Sequence, residues 1–199
     1  MYNRGVDKRS IFLNPEDTKR FLQSMVVFNT IEPIGSIYEC IWNTKLGRRK
    51  PAKKLVEIIC YCLNPNHFHL ILRQLKGGGV SEFMKRIGGY TYYFNRKHQR
   101  SGYLFQGVFK STHVTTNEHL LHLSAYVNLN HLVHRLGGST SKSSFDEYIG
   151  KVNDSICSKK IILRQFKNKT EYKEFIESSL ENILERKDRY QEMEKLLLE

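Results

Sequence analysis

Apolar residues are densest between residues 55 and 74, broken only by Asn64-Pro65-Asn66. Residues 55–63 are nearly continuously apolar, which predicts a buried strand, and residues 67–74 predict a second. The Asn-Pro-Asn turn between them predicts that the two pair as a hairpin. Helical spacing occupies the flanks. Asn14-Pro15-Glu16-Asp17 offers a capping side chain, a proline for the first helical position and acids for the first turn. Phe21, Leu22, Met25, Val26 and Phe28 then supply the apolar side of a helix to about residue 29. Residues 34–42, rich in Ile, Tyr and Trp, predict a strand. After Gly77-Gly78-Gly79, Ser81 is placed to cap a helix carrying Phe83, Met84, Ile87, Tyr90 and Phe94 on one side, closed by Arg100-Ser101-Gly102. Residues 104–114 predict a further strand. Thr116-Asn117-Glu118 opens a helix to about residue 136, and residues 137–144 read as a Gly/Ser/Thr-rich loop. A short segment at 145–149 follows. Asn168-Lys169-Thr170-Glu171 matches a capping box ahead of a long amphipathic tail helix. This order predicts an α+β fold, with helices packed on a central antiparallel sheet.

A length of 199 residues suits one domain with an appendage. The expected division is a body of residues 1–150 and a helical extension of residues 151–199. The net charge is +12, and it is unevenly spread: residues 169–199 carry six Lys/Arg against nine Asp/Glu, so the rest of the chain is the more basic. A basic body implies a polyanionic partner, nucleic acid or an anionic membrane surface. No 18-residue apolar stretch exists to span a membrane. The first residues lack the apolar segment of a signal peptide, so a cytoplasmic location is expected. Cys40, Cys60, Cys62 and Cys157 form no disulfide framework, and reduced thiols are expected. Arg48, Arg49, Lys50, Lys53 and Lys54 make a stretch too basic to bury and are candidates for contact with nucleic acid. Arg96, Lys97 and Arg100, in an aromatic-basic run, and Lys110 are further candidates, although a solvated face explains them as well. Gly77–Gly79 is not followed by the Lys-Ser/Thr of a phosphate-binding loop and reads as a turn.

The candidate chemistry begins at His67-Phe68-His69. In a strand, the two imidazoles point to one face and Phe68 to the other. Adjacent imidazoles are costly to bury unless something lies between them, and a divalent metal is the commonest occupant. Cys60 and Cys62 extend the pattern to C-x-C-x4-H-x-H, which would suit structural zinc, but both cysteines sit in the apolar run where a thiol behaves as a small hydrophobe. On the helix from 117, Tyr126 and Asn130 stand one above the other at i and i+4, with His122 a turn earlier. A helical tyrosine is ordinarily a packing residue. Beside a histidine pair in a basic protein, its hydroxyl can attack a phosphodiester and form a phosphotyrosine. A divalent ion on His67 and His69 would offset the developing charge, with Asn130 as a possible third, oxygen ligand. Such a mixed nitrogen and oxygen set suits Mn²⁺ or Mg²⁺.

Asn64-Pro65-Asn66-His67-Phe68-His69-Leu70 resembles the His-hydrophobic-His motif of single-tyrosine HUH nucleases. More closely, the chain resembles the REP-associated tyrosine transposases, relatives of the small insertion-sequence transposases. Arg4-Gly5 with Ile11-Phe12, Tyr93-Phe94-Asn95, Leu104-Phe105-Gln106-Gly107-Val108-Phe109-Lys110 and Tyr126-Val127-Asn128-Leu129-Asn130 fit in family order, over roughly residues 2–150. The resemblance implies a ferredoxin-like sheet with both histidines on a central strand. It implies Tyr126 as nucleophile, His67 and His69 as metal ligands and Asn130 as a third. It further implies cleavage of single-stranded DNA to a 5′-phosphotyrosine and a free 3′-hydroxyl, with DNA hairpins as recognition elements. Two departures stand out. The family usually has Pro after the Asn130 position, where this chain has His131, which predicts a longer helix; and the first strand is expected to be short. The alternative functions are a hairpin-DNA-binding protein without cleavage and a zinc-bearing interaction protein built on Cys60 and Cys62. Monomer or homodimer, and a site built within one chain or shared by two, are both open on sequence.

Overall fold

The computed structural model describes residues 1–45, 53–134, 136, 138–152 and 155–196, the side chains of 44, 45 and 186–196 excepted. In chain order the elements are β1 (Tyr2–Arg4), α1 (Pro15–Val27), α2 (Ile37–Lys45), β2 (Val56–Asn64), β3 (His67–Gln74), α3 (Gly79–Gly88), α4 (Tyr90–Lys97), α5 (Asn117–Val133), β4 (Lys142–Ser143), α6 (Phe145–Tyr148), α7 (Lys160–Leu163) and α8 (Lys169–Leu196). The strands form one antiparallel sheet in the order β1-β3-β2-β4. The α+β class therefore holds, and the β2–β3 hairpin is the centre of the sheet. The short first strand is β1, which pairs with β3 only from Tyr2 opposite His69 to Arg4 opposite His67.

The start of α1 follows its sequence signal: Asn14 Oδ1 accepts the Asp17 N–H at 3.1 Å, and Pro15 sits in the first turn. Two residues past its end, Asn29 fastens the hairpin. Its amide donates to Val56 O at 2.9 Å and accepts from the Leu55 and Val56 N–H groups, each at 3.1 Å. Four expectations need correction. Residues 37–45 are helix α2, not a strand. Ser36 and Glu39 close a reciprocal capping box, Glu39 N–H to Ser36 Oγ at 3.2 Å and Ser36 N–H to Glu39 Oε2 at 2.7 Å, and this local signal outweighs the β propensity of Ile, Tyr and Trp. Residues 104–114 are not a continuous strand. They touch the edge at two isolated bridges, Gly5 with Phe105 and Tyr2 with Lys110. Between these the chain swings out through Gly107, whose φ of 86° interrupts the ladder. The helix expected from Ser81 starts earlier and divides in two. Gly78, at φ 70°, is the cap residue, and the break falls at Gly88-Gly89. Gly79 lets this helix start close to the hairpin, since a Cβ there would lie 2.5 Å from Leu55 O. Finally, the loop of 137–144 contains β4, pairing Ser143 with Cys62 and Lys142 with Leu63.

Helices cover both faces of the sheet. Phe68 turns into the core, its ring 5.2 Å from that of Phe21 and 5.7 Å from that of Phe105. Met25, Phe83, Ile87 and Tyr90 are buried in the same core. The opposite face, with His67 and His69, is covered by α5, which packs on β2 and β3, and α8 packs on α5. Asn128 ties these layers together. Fully buried, its amide donates to the Tyr172 hydroxyl at 2.8 Å and accepts from Ser144 Oγ at 2.5 Å. Tyr172 and Ile176 of α8 have no exposed surface and join the main core. All four cysteines are buried. Among the described residues, no helix is long and apolar enough to cross a membrane.

Candidate active site

The hairpin register places Asn64 opposite His67 and Cys62 opposite His69, so these four residues share one face of the sheet. Helix α5 runs over that face. Thr116 caps it by accepting the His119 N–H at 3.2 Å, and it continues past His131 to Val133, as the absence of proline there allows. Tyr126 and Asn130, one turn apart, face the histidines. The His67 and His69 rings lie 5.2 Å apart at right angles. The Tyr126 ring stands edge-on to His69 at 5.7 Å. Asn130 Oδ1 is 3.0 Å from His67 Nε2. The structure thus brings His67, His69, Tyr126 and Asn130 together within one chain. His122, in contrast, turns away to pack on Phe175 of α8.

Hydrogen bonds fix the protonation of His67. The Asn66 amide donates to Lys8 O at 3.2 Å, which turns Asn66 Oδ1 to His67 Nδ1 at 2.6 Å. Lys8 O can only accept and Asn66 Oδ1 can only accept, so Nδ1 carries the proton and Nε2 is left with a lone pair. That lone pair faces Asn64 Nδ2 at 2.9 Å and lies 3.0 Å from Asn130 Oδ1. Burial holds the His67 imidazolium below its usual range, against the pull of the Asn130 hydrogen bond. Burial, reinforced by the charge of His67, pushes His69 down to about 3. Both imidazoles are therefore neutral near pH 7, the form that binds a metal ion. Burial raises the Tyr126 phenol above its usual range, and the adjacent Asn130 side chain works against that shift.

These residues fit a divalent ion. Two neutral imidazoles and an amide oxygen converge, and Asn130 Nδ2 is buried without a hydrogen-bond partner among the described residues. The set relies on an amide: among the described residues, no group of three or more His, Cys, Asp or Glu could hold a metal. Cys60 and Cys62 do not join it. The Cys60 thiol donates to the Tyr148 hydroxyl at 3.2 Å and Cys62 lies 3.7 Å from Asn64 Oδ1, and burial pushes each thiol up to about 12.

Sequence reasoning passed over four neighbours. Tyr2 stacks on His69 at 5.7 Å, and the exposed Arg4 acts electrostatically on both histidines. The His134 ring stands edge-on to His67 at 5.5 Å. Asn64 touches both His67 and Asn130. The i+4 step from Asn130 to His134 was a usable signal; Tyr2 and Arg4 needed the pairing of β1 with β3.

Of the basic candidates, Arg48, Arg49 and Lys50 lie outside the described residues. Lys53, Lys54, Arg96 and Lys110 are exposed. Lys97 is committed elsewhere: its ammonium group donates to the buried Asp17 carboxylate at 2.8 Å and to Asn14 Oδ1 at 2.9 Å. Arg100 donates to Asn95 Oδ1 at 3.1 Å and to Tyr103 O at 2.8 Å.

Residues 44–130 match the model of the family described as "Transposase IS200 like". The matched stretch contains both histidines, Tyr126 and Asn130. The resemblance to the small single-tyrosine transposases read from the sequence motifs therefore holds, and it supports a transposase-like, DNA-processing activity with DNA as partner. No curated protein and no solved structure matches the chain.

Proposed function

We propose that this protein is a metal-dependent single-stranded DNA endonuclease and strand transferase that acts through Tyr126 on hairpin-bearing DNA. The observation that carries the reading is the meeting of one phenol with a neutral imidazole pair in a single chain, the Tyr126 ring 5.7 Å from His69. A divalent ion held by His67, His69 and Asn130 would supply Lewis-acid stabilisation of charge on the scissile phosphate. The chain's own groups do the rest. Tyr126 Oη attacks phosphorus as its proton departs to solvent. The P–O3′ bond breaks, the 3′-oxygen takes up a proton, and the 5′-phosphate remains esterified to the phenol. Attack by a 3′-hydroxyl reverses these steps, so rejoining needs no external energy. His67 is kept in its lone-pair tautomer by Asn66, and Asn130 opposes the burial that disfavours the phenolate. Arg4, exposed beside the histidines, is placed to meet a neighbouring phosphate.

The test is a covalent adduct. Protein incubated with single-stranded hairpin DNA and Mn²⁺ or Mg²⁺ should give a shifted band on a denaturing gel. Chelator should remove the band, and Tyr126→Phe should abolish it while leaving DNA affinity nearly intact. An adduct that persists in Tyr126→Phe would refute the nucleophile. DNA binding with no adduct under any metal would instead identify a hairpin-binding protein that does not cut.

A further inference from the structure

Asn64, the last residue of β2, has no exposed surface and is drawn into the histidine site. Its Nδ2 lies 2.9 Å from His67 Nε2 and 2.7 Å from Asn130 Oδ1, and those two atoms are 3.0 Å apart. His67 Nε2 and Asn130 Oδ1 both present lone pairs. Two acceptors are thus held in contact by one shared donor group, the Asn64 NH₂. A carboxamide keeps almost the same shape when it makes a half-turn about its terminal bond, which exchanges NH₂ for the carbonyl oxygen. After that turn, three metal-binding atoms would share one triangle with sides of 2.7, 2.9 and 3.0 Å. Adjacent ligands of an octahedral ion with bonds of about 2.0–2.1 Å stand about 2.9 Å apart.

We propose that Asn64 is a metal ligand of this site and also its placeholder: without an ion its NH₂ bridges His67 Nε2 and Asn130 Oδ1, and with an ion its Oδ1 replaces that bridge. The proposal rests on reading the site as the metal centre of a DNA-cleaving enzyme. Two surrounding features favour it. On the far side, Asn64 Oδ1 faces Cys62 Sγ at 3.7 Å. A thiol accepts weakly as well as donating, so the turned NH₂ keeps a partner there. Asn130 Nδ2, buried and without a partner among the described residues, shows that the amide pair is not fully satisfied by hydrogen bonds alone. A second amide oxygen also biases the set. Oxygen donors at octahedral spacing favour Mn²⁺ and Mg²⁺ over tetrahedral zinc.

The experiment is titration calorimetry of Mn²⁺ into the full chain, comparing wild type, Asn64→Asp and Asn64→Leu, with His67→Ala as the null and circular dichroism to establish folding. Asn64→Asp offers a carboxylate oxygen on either side and needs no turn, so it should bind Mn²⁺ more tightly than wild type. Asn64→Leu should bind about ten-fold more weakly or worse. Wild-type affinity in a folded Asn64→Leu variant would overturn the assignment. So would Asn64→Asp binding no tighter than wild type, a comparison that stands even if the leucine variant fails to fold. Absence of Mn²⁺ binding by wild type at millimolar ion would overturn it as well. The adduct assay separates this from the parent reading. A Tyr126-dependent adduct together with Asn64-independent Mn²⁺ binding leaves the enzyme and removes the ligand; Asn64-dependent binding with no adduct does the reverse.

Discussion

At the scale of single residues, the site is governed by burial acting on ionisable groups. His69 shows this most strongly, at about 3 against an ordinary value of 6.5. Between those values the unfolded chain takes up a proton at this position and the native chain does not. The native state is therefore favoured above about pH 6.5 and loses stability as pH falls toward 3. His67 shifts in the same direction. Thermal unfolding of the metal-free protein should accordingly show a midpoint that falls on acidification through this window. His69→Gln should flatten that slope, and an unchanged slope in the variant would show that the acid sensitivity arises elsewhere. On the proposed reading the same shift has a functional side: His69 stays neutral in mild acid and keeps its lone pair for a metal ion when an ordinary histidine would be half protonated.

At the scale of elements, the site depends on α5 being fixed to the sheet and to α8 at once. Asn128 makes both connections, through Ser144 beside β2 and through Tyr172. Asn128→Ala would take away the amide donor of the buried Tyr172 hydroxyl, at a cost of roughly 1–3 kcal/mol, while Ser144 Oγ keeps the Tyr61 N–H and Tyr61 O. Urea unfolding should register that loss, while the His67–Asn130 contact, on another part of the helix surface, stays in place. The elements also show how far sequence carries. The β2–β3 hairpin, the cap of α1, and the i, i+4 relation of Tyr126 and Asn130 were legible because each follows from local patterning. Helix α2 was misread because β-prone residues drew more weight than the Ser36–Glu39 capping box. Residues 104–114 were misread because alternation along the chain does not reveal that Gly107 leads it away from the edge. Asn64 was read as a turn residue because nothing local indicates that strand pairing sets it opposite His67, or that a helix 66 residues away brings Asn130 to the same point.

At the scale of the whole molecule, two properties are distributed rather than local. One is the core, which extends from the sheet into α8. Tyr172 and Ile176 are fully buried there, and Tyr172 stacks on Tyr148 at 5.1 Å. A chain cut after residue 150 would uncover Tyr148 and Asn128 and should unfold at markedly lower temperature than the full chain; a fragment of equal stability would mean that α8 only rests on the body. The other is charge, +12 overall against an acidic segment at 169–199. Its cations are not equivalent. Lys53, Lys54, Arg96 and Lys110 are exposed, as a phosphate contact with counterion release requires, whereas Lys97 neutralises the buried Asp17 that also holds His98 at 2.9 Å. Each single-strand phosphate contact contributes about −0.7 to the slope of log affinity against log salt. Lys53→Gln with Lys54→Gln should therefore make that slope shallower by up to about 1.4 if both touch the strand. Lys97→Gln should leave the slope unchanged and instead lower folding stability, by about 1 kcal/mol because solvent screens the exposed ammonium group. The opposite pattern, with slope lost at Lys97 and stability lost at the lysine pair, would place the DNA on the α1–α4 side and reverse the roles given to these residues.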